Sequence, residues 1–288
     1  MAKKTFKLLS SPPWKLPPKL EQQPLVSKKD HIVILGCGTS TGSPVLACTC
    51  KTCTSNDPRN RRQRASIIMR SEGKTFLIDT SPDLRQQCLS NKIHWIDAVL
   101  YTHPHADHMH GADELRTLNF LMGRRIDVYG NEWSLEELME KFKYIFQKSQ
   151  EGGGKPHLAL HKMGTSPKTI AGVKITPLPI VHGGMDVLGF RIKDIAYITD
   201  CSYVPDKTFR SLKNLDVLVL DCLRPNKHPT HLSIEEALSL AKKINAKRTY
   251  FTHMGHEIEY NEFAKSLPAG MFPAYDGLII ESSMGEKS

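Results

Sequence analysis

The segment that most constrains this chain is residues 102–108, in which three histidines and one aspartate fall within six positions. It follows an apolar run at residues 98–101, and such a run predicts a buried strand. A polar loop after a strand presents its side chains to a cleft from a rigid scaffold. Imidazole and carboxylate suit Zn, Mn or Fe, and four such groups exceed what one tetrahedral site takes from a single segment. The segment therefore predicts two metal ions, with a histidine-rich polar loop as the alternative.

Three further runs of apolar or β-branched residues each end in a residue type that binds metals: His182, Asp200 and His253. Taken singly, each would be interpreted as a structural histidine or a helix-capping aspartate. Ligands at the ends of several strands converge at one edge of a sheet, so the repeated pattern favours a common metal site. Asp79 also ends an apolar run, and we expect it to fix the metal-binding loop rather than to bind metal.

A second group of soft ligands is formed by Cys48, Cys50 and Cys53, which lie within six residues. Three thiolates need one more donor to complete a tetrahedral zinc site, and His256, three residues after His253, is the natural fourth. A closed site of this kind is structural, because no coordination position remains for a substrate. The alternatives are a redox-active pair, for which the thioredoxin-like context is missing, or thiols without a metal.

Four arginines follow within six positions, at residues 59–64. Arginine can pair with phosphate bidentately. The alternative is a solvated basic turn or ion pairing with the body of the protein, and we expect Arg59 and Arg64 to be candidates for such a structural role.

The length and the charge of the chain limit the classes of protein to which it can belong. A chain of 288 residues can bury the core of one domain, and the formal charge of +9 favours anionic partners such as a phosphate ester or RNA. No window of 18 apolar residues predicts a membrane span, so we expect no membrane association. Seven cysteines, an odd number, without a secretory signal favour the reducing cytoplasm.

The order of elements predicts a layered α/β architecture. Residues 1–30 form a basic, proline- and lysine-rich extension that we expect to be disordered or peripheral, and residues 31–288 form the domain. Residues 66–70 and 74–79 predict a hairpin, and residues 112–122 and 135–146 predict helices. Ser233 and Glu236 form a capping box before a helix at residues 234–244, which places His231 two residues ahead of that helix.

The chain resembles the metallo-β-lactamase superfamily, whose hallmark His-x-His-x-Asp-His stands here at residues 103–108. Similarity over residues 31–282 extends to one branch, which includes the phosphoribosyl 1,2-cyclic phosphate phosphodiesterase of the carbon–phosphorus lyase pathway. The matching segments include residues 36–44, the Cys48–Cys53 cluster, residues 77–80 and residues 252–256. The resemblance implies a four-layer αββα sandwich.

The resemblance also implies the roles of the site residues. It implies a first metal held by His103, His105, His182 and Asp200. It implies a second metal held by Asp107, His108, His253 and a bridging Asp200. It places His231 near the leaving group and repeats the assignment of His256 to the cysteine cluster. The region 131–170 is longer than in the relative and the stretch from Asp221 to His231 is shorter, so both are candidates for shaping the substrate pocket.

These observations favour a metal-dependent phosphodiesterase that acts on a small cyclic or linear phosphodiester. Two neighbouring cations, Mn or Zn, lower the pKa of a shared water, and His231 could protonate the leaving alkoxide because imidazole titrates near neutrality. The alternative is an endoribonuclease of the tRNA 3′-processing type, which the basic charge favours and the lack of a long Gly/Pro-rich arm disfavours. A non-catalytic binding module is a weaker alternative, and thioester or lactam hydrolysis is possible on this fold. We expect a homodimer.

Overall fold

The structure is a computed structural model that describes residues 29–148 and 154–283. The predicted N-terminal extension lies outside the described residues, except for Lys29 and Asp30. Within the described ranges, each helix is too short or too polar to cross a lipid bilayer.

The described residues form fourteen strands, which share a high content of β-branched and aliphatic residues. They are β1 (His31–Gly36), β2 (Ser66–Ser71), β3 (Lys74–Ile78), β4 (Ala98–Leu100), β5 (Ile126–Gly130), β6 (Leu158–Lys162), β7 (Lys168–Ile170), β8 (Val173–His182), β9 (Met185–Ile192), β10 (Ile195–Ile198), β11 (Val217–Asp221), β12 (Arg248–Thr252), β13 (Met271–Pro273) and β14 (Ile279–Glu281).

These strands build two sheets of seven, each part antiparallel and part parallel. The first sheet has the order β14-β1-β2-β3-β4-β5-β6, and the second has the order β13-β12-β11-β10-β9-β8-β7. The hairpin predicted from sequence pairs β2 with β3, with Ile67 opposite Ile78. From β3 to β6 the neighbouring strands are parallel, as are those from β10 to β13. Because parallel strands end at the same edge, each sheet presents a set of strand ends there.

The helices all lie in the segments that connect one strand to the next. They are α1 (Leu84–Ser90), α2 (Ala106–Met109), α3 (Leu115–Met122), α4 (Glu132–Lys141), α5 (Lys143–Phe146), α6 (Asp206–Arg210), α7 (Ile234–Ile244) and α8 (Tyr260–Ser266), and two short 3₁₀ turns lie at Pro58–Asn60 and Ala112–Glu114.

The layers follow from strands that are buried on both faces. In β1, Ile32 and Ile34 point into a core shared with the second sheet, whereas Val33 and Leu35 pack in a separate core. Leucines of α1, α3 and α4 cover that second core, and Ala237 of α7 packs on the second sheet. Side chains alternate between the faces of a strand, so an all-apolar strand requires a layer on each side. The fold is therefore the four-layer αββα sandwich that the resemblance implied.

Helix α7 shows how sequence sets an element's bounds. Ser233 accepts a hydrogen bond from the Glu236 backbone, and the Glu236 side chain accepts one from the Ser233 backbone, which completes the capping box. Asn245, in the left-handed conformation at φ 57°, ends the helix. The prediction of residues 234–244 is confirmed.

The single helix predicted at residues 135–146 is wrong in two respects. The helix begins earlier, because Asn131 accepts a hydrogen bond from the Ser134 backbone as an N-cap. It then breaks at Phe142, whose backbone (φ −118°, ψ 43°) is not helical. The Phe142 ring packs on the first sheet's outer core and contacts His110, with ring centroids 6.0 Å apart.

Candidate metal centre

The candidate ligands lie where strands of both sheets end. Asp79 directly follows β3, His103 is the third residue after β4, His182 ends β8, Asp200 is the second residue after β10, and His253 directly follows β12. Asp79, Asp200 and His253 are in the left-handed region, at φ 64°, 52° and 59°. This conformation is costly for residues other than glycine and concentrates at functional sites. The backbone therefore bends sharply at each of these three residues, where it turns the polar side chain towards the centre.

The first group of ligands consists of His103, His105 and His182, whose nitrogens lie within 4.8 Å of one another. His103 Nε2 is 2.9 Å from His105 Nδ1. The Nδ1 atom of His182 lies 2.8 Å from the Thr230 carbonyl oxygen, to which it donates. This hydrogen bond fixes the tautomer and leaves Nε2 of His182 available as a ligand.

The second group consists of Asp107, His108, Asp200 and His253, all buried and again within 4.8 Å of one another. His253 Nε2 is 3.5 Å from Asp107 Oδ2 and 3.3 Å from Asp200 Oδ1. His103 Nε2, from the first group, is 3.8 Å from the same Asp200 Oδ1 atom. Asp200 therefore lies between the two groups.

The environment of His108 tests whether these residues fit a metal. Its Nδ1 atom lies 2.7 Å from Asp79 Oδ2, and the other Asp79 oxygen accepts from the Thr102 backbone at 2.8 Å. Its Nε2 atom is buried and has no hydrogen-bond partner among the described residues, although Asp200 Oδ2 is 3.1 Å away. A buried unpaired nitrogen is costly and is satisfied when it binds a cation. Asp79 occupies the loop-fixing position expected from the sequence.

The pKa values of the histidines in the centre shift in two directions. Burial lowers the pKa of His103 well below its ordinary value, and burial also lowers that of His182, so both rings favour the neutral form that binds metals. Burial opposes ionisation of Asp200, but the adjacent rings of His108 and His253 outweigh it and hold its pKa well below the usual range. The centre thus combines neutral rings at His103 and His182 with an ionised Asp200, whose charge outweighs burial and raises the pKa of His108 and of His253.

His231 lies beside both groups and is 9% exposed. Its Nε2 atom is 3.9 Å from Asp200 Oδ1, and its Nδ1 atom is 3.3 Å from Asp221 Oδ1. The Asp221 carboxylate also accepts from the backbones of Asp200 and Leu232, at 3.2 Å and 3.0 Å. Sequence reasoning missed Asp221, although it ends the apolar strand β11 in the same way that Asp200 follows β10.

The cysteine cluster forms a separate group. Cys48, Cys50 and Cys53 are free thiols, and their sulfurs lie 3.3, 3.4 and 3.6 Å from His256 Nδ1. Tetrahedral zinc with ordinary Zn–S and Zn–N bonds separates such atoms by about 3.6 Å. The backbone N–H of Cys53 lowers the pKa of the Cys50 thiol to about 6, which favours the thiolate form. The four donors fit a zinc ion.

Three of the four clustered arginines form ion pairs or hydrogen bonds with other residues of the protein. Arg59 pairs with Asp57 at 2.6 Å, Arg64 pairs with Asp83 at 2.8 Å, and the buried Arg62 donates to the carbonyls of Gly255 and Ile258. The interpretation as ion pairing with the body of the protein is confirmed for Arg59 and Arg64. Arg61 is exposed.

The glycine-rich turn after β1 lies close to the segment that carries His253. Gly38 pairs with Arg64 and with Met254, the residue after His253. A Cβ atom at Gly38 would lie 2.9 Å from the Arg62 carbonyl oxygen, so only glycine allows this approach without a shift.

The fold and these groups together agree with one superfamily. A family model described as the beta-lactamase superfamily domain matches residues 74–254, which is more than half of the chain. The chain belongs to this superfamily and has the metallo-β-lactamase fold.

Three individual proteins are similar to this chain over most of its length. The crystal structure of a new diphosphatase from the PhnP family is 40% identical, with a TM-score of 0.82, and the match covers 88% of this chain and 97% of that one. Zinc-bound PqqB from Methylobacterium extorquens is 20% identical, with a TM-score of 0.71 and coverage of 87% and 99%, and shows the shared fold. A Porphyromonas gingivalis protein named octanoyltransferase is 36% identical over 88% of this chain. The chain spans about half, 52%, of that relative's length.

Proposed function

We propose that this chain is a metal-dependent phosphodiesterase that acts on a small cyclic or linear phosphodiester. The position of Asp200 carries the proposal, because its carboxylate lies within 4 Å of ring nitrogens from both ligand groups. That arrangement supports two ions with Asp200 as the shared ligand. The first would bind His103, His105 and His182, and the second Asp107, His108 and His253. Two metals bound here would neutralise the phosphoryl oxygens and activate the attacking water.

The chain's own residues orient the centre and move the proton. Thr230 holds the His182 ring, and Asp79 holds the His108 ring, so the ligand geometry is fixed before substrate arrives. His231 points its Nε2 atom towards Asp200 while Asp221 holds the opposite ring nitrogen. From this position His231 can give a proton to the departing alkoxide oxygen.

The relative at 40% identity supports phosphoryl chemistry, since it is described as a diphosphatase. A diphosphate linkage and a phosphodiester both place a substituted phosphoryl group between an attacking and a leaving oxygen. The formal charge of +9 favours either anion. We expect Mn or Zn in the centre and a structural zinc in the cysteine cluster. A cytoplasmic location and a homodimer remain predictions from the sequence.

The proposal is tested by assaying the purified protein, loaded with Mn²⁺ or Zn²⁺, on matched substrates. The panel contains a nucleoside 2′,3′-cyclic phosphate, a bis-phosphodiester, a dinucleoside diphosphate, an octanoyl thioester and a tRNA precursor. The proposal predicts the highest kcat/KM on a small phosphodiester, with Asp200→Ala inactive and the exposed Asp206→Ala unchanged. Faster cleavage of the tRNA precursor would support the endoribonuclease alternative, and faster thioester cleavage would reject phosphoryl chemistry.

A further inference from the structure

A depression of about 400 Å³ lies beside the candidate metal centre, and its volume falls within the range typical of small-molecule sites. It is lined by Asn131, Glu132, Trp133, Met185 and Asp186. Trp133 and Met185 are both half-buried, so each presents part of an apolar surface to solvent. These residues come from the start of α4 and the start of β9.

Both apolar residues adjoin the first ligand group. The ring centroids of Trp133 and His105 are 6.5 Å apart, and Met185 is the strand partner of His182. From His105 the ring contacts continue to His182 at 5.1 Å, and from there to His231 at 4.6 Å. Trp133 and His231 are therefore connected through the rings of His105 and His182. A phosphoryl group at the centre would have one substituent near His231 and room for the other near Trp133.

The depression is held open by packing and hydrogen bonds. Asn131 Oδ1 accepts from the Ser134 backbone at 2.8 Å, and Asn131 Nδ2 donates to the Asp186 carbonyl at 3.3 Å. The side chain of Trp133 also packs against the core between the sheets. Asn131 thus ties α4 to β9, and the Trp133 ring is positioned before a ligand binds.

The charges around the depression select the class of substituent. None of its five lining residues is cationic, and two of them, Glu132 and Asp186, are exposed carboxylates. Glu132 pairs with Lys162 at 2.7 Å, but this contact is exposed and so contributes little. A second anionic group is disfavoured here, whereas an aromatic ring can stack on Trp133 and donors such as hydroxyl or amino groups can face the carboxylates.

We propose that this depression binds a nucleoside-like substituent of the substrate, with its base against Trp133 and Met185. The inference rests on the proposed function, because the depression is a substrate subsite only if the phosphoryl group binds at the metal centre. Trp133 is then a specificity-determining residue and not a catalytic one.

The test compares two diesters that share the same trifluoroethanol leaving group, one of adenosine 5′-phosphate and one of ribose 5-phosphate. Trp133→Ala should raise the KM of the adenosine ester by about 10- to 100-fold, the range expected for loss of a base stack, with little change in kcat. The ribose ester should change less than about twofold, and Trp133→Phe should retain most of the preference. Trp95→Phe, outside the depression, is the matched control. Equal changes on both esters, or no preference in the wild type, would overturn the subsite.

A binding measurement separates this inference from the proposed function. Adenosine 5′-phosphate should quench tryptophan fluorescence in the wild type and in Trp95→Phe, but much less in Trp133→Phe, and ribose 5-phosphate should quench in none. If this pattern appears while neither ester is hydrolysed, the phosphodiesterase proposal fails, although the depression still binds a nucleoside. If both esters are hydrolysed but quenching does not depend on Trp133, the subsite fails alone.

Discussion

His253 and His256 lie three residues apart but belong to different ligand groups. His253 Nε2 is 3.3 Å from Asp200 Oδ1, whereas His256 Nδ1 is 3.3 Å from Cys48 Sγ. The two residues between them are held by backbone hydrogen bonds, from Met254 to the Cys37 carbonyl at 2.9 Å and from Gly255 to the Leu223 carbonyl at 2.8 Å. One short segment with a fixed backbone therefore carries a candidate ligand of each group.

Replacing Cys48, Cys50 and Cys53 together with serine should remove one zinc per chain and lower the melting temperature. Cys50→Ser alone should reduce stability more than it reduces the turnover of the protein that remains folded, because a closed site touches no substrate. Elemental analysis and thermal unfolding measure both effects, with Cys88→Ser as the control outside the cluster. An unchanged zinc content in the triple variant would reject the assignment.

Asp276 should give the protein a specific pH dependence. Burial raises the pKa of this carboxyl to about 7, above its ordinary 3.8, while its oxygens accept from the backbones of Cys37 and Gln63. Between these two values the unfolded state binds fewer protons than the folded state, so stability falls as pH rises through this window. The slope from this group approaches about 1.4 kcal/mol per pH unit.

Asp276→Asn resembles the protonated acid and should remove that slope. Urea unfolding from pH 4.5 to 7.5 measures it as the difference between wild type and variant, with the exposed Asp206→Asn as control. Parallel profiles for wild type and Asp276→Asn would show that the carboxyl does not titrate in this range.

His231→Ala should slow the hydrolysis of an ester with an alkoxide leaving group by about 10²–10⁴-fold, the usual contribution of a general acid. A nitrophenyl ester needs little proton assistance, so its hydrolysis should slow much less. His228→Ala is the matched control, since its ring lies 5.3 Å from His231 on the outer side and is half-buried. Equal losses on both esters would mean that His231 positions the substrate or the metals.

The sequence predicts that the candidate ligands lie close together, because several of them follow strands of strongly apolar residues, whereas their binding of metal stays a prediction. His103, His182, Asp200 and His253 all show this local pattern, and the structure brings them together. The helix at Ile234–Ile244 is also predictable, since its caps are adjacent in sequence. These features depend on residues close to one another in the chain.

The features that the sequence did not reveal depend on contacts between distant segments. The break at Phe142 arises where its ring packs on the first sheet, which helical periodicity does not encode. Trp133 carries no motif, and it becomes notable only because α4 lies against β9. Asp221 shows the same strand-end pattern as Asp200, but its contacts with His231 and with the Asp200 backbone join segments that are distant in the sequence.

The central claim is that Asp200 serves two metal ions, and metal content per folded chain tests it most directly. After loading with Mn²⁺ or Zn²⁺ and removal of excess metal, the wild type should retain three ions, counting the zinc of the cysteine cluster. Asp200→Ala should lose both ions of the centre, whereas His182→Ala should mainly weaken one, and Asp206→Ala should match the wild type. Full occupancy and near-normal turnover in folded Asp200→Ala would contradict the two-metal centre.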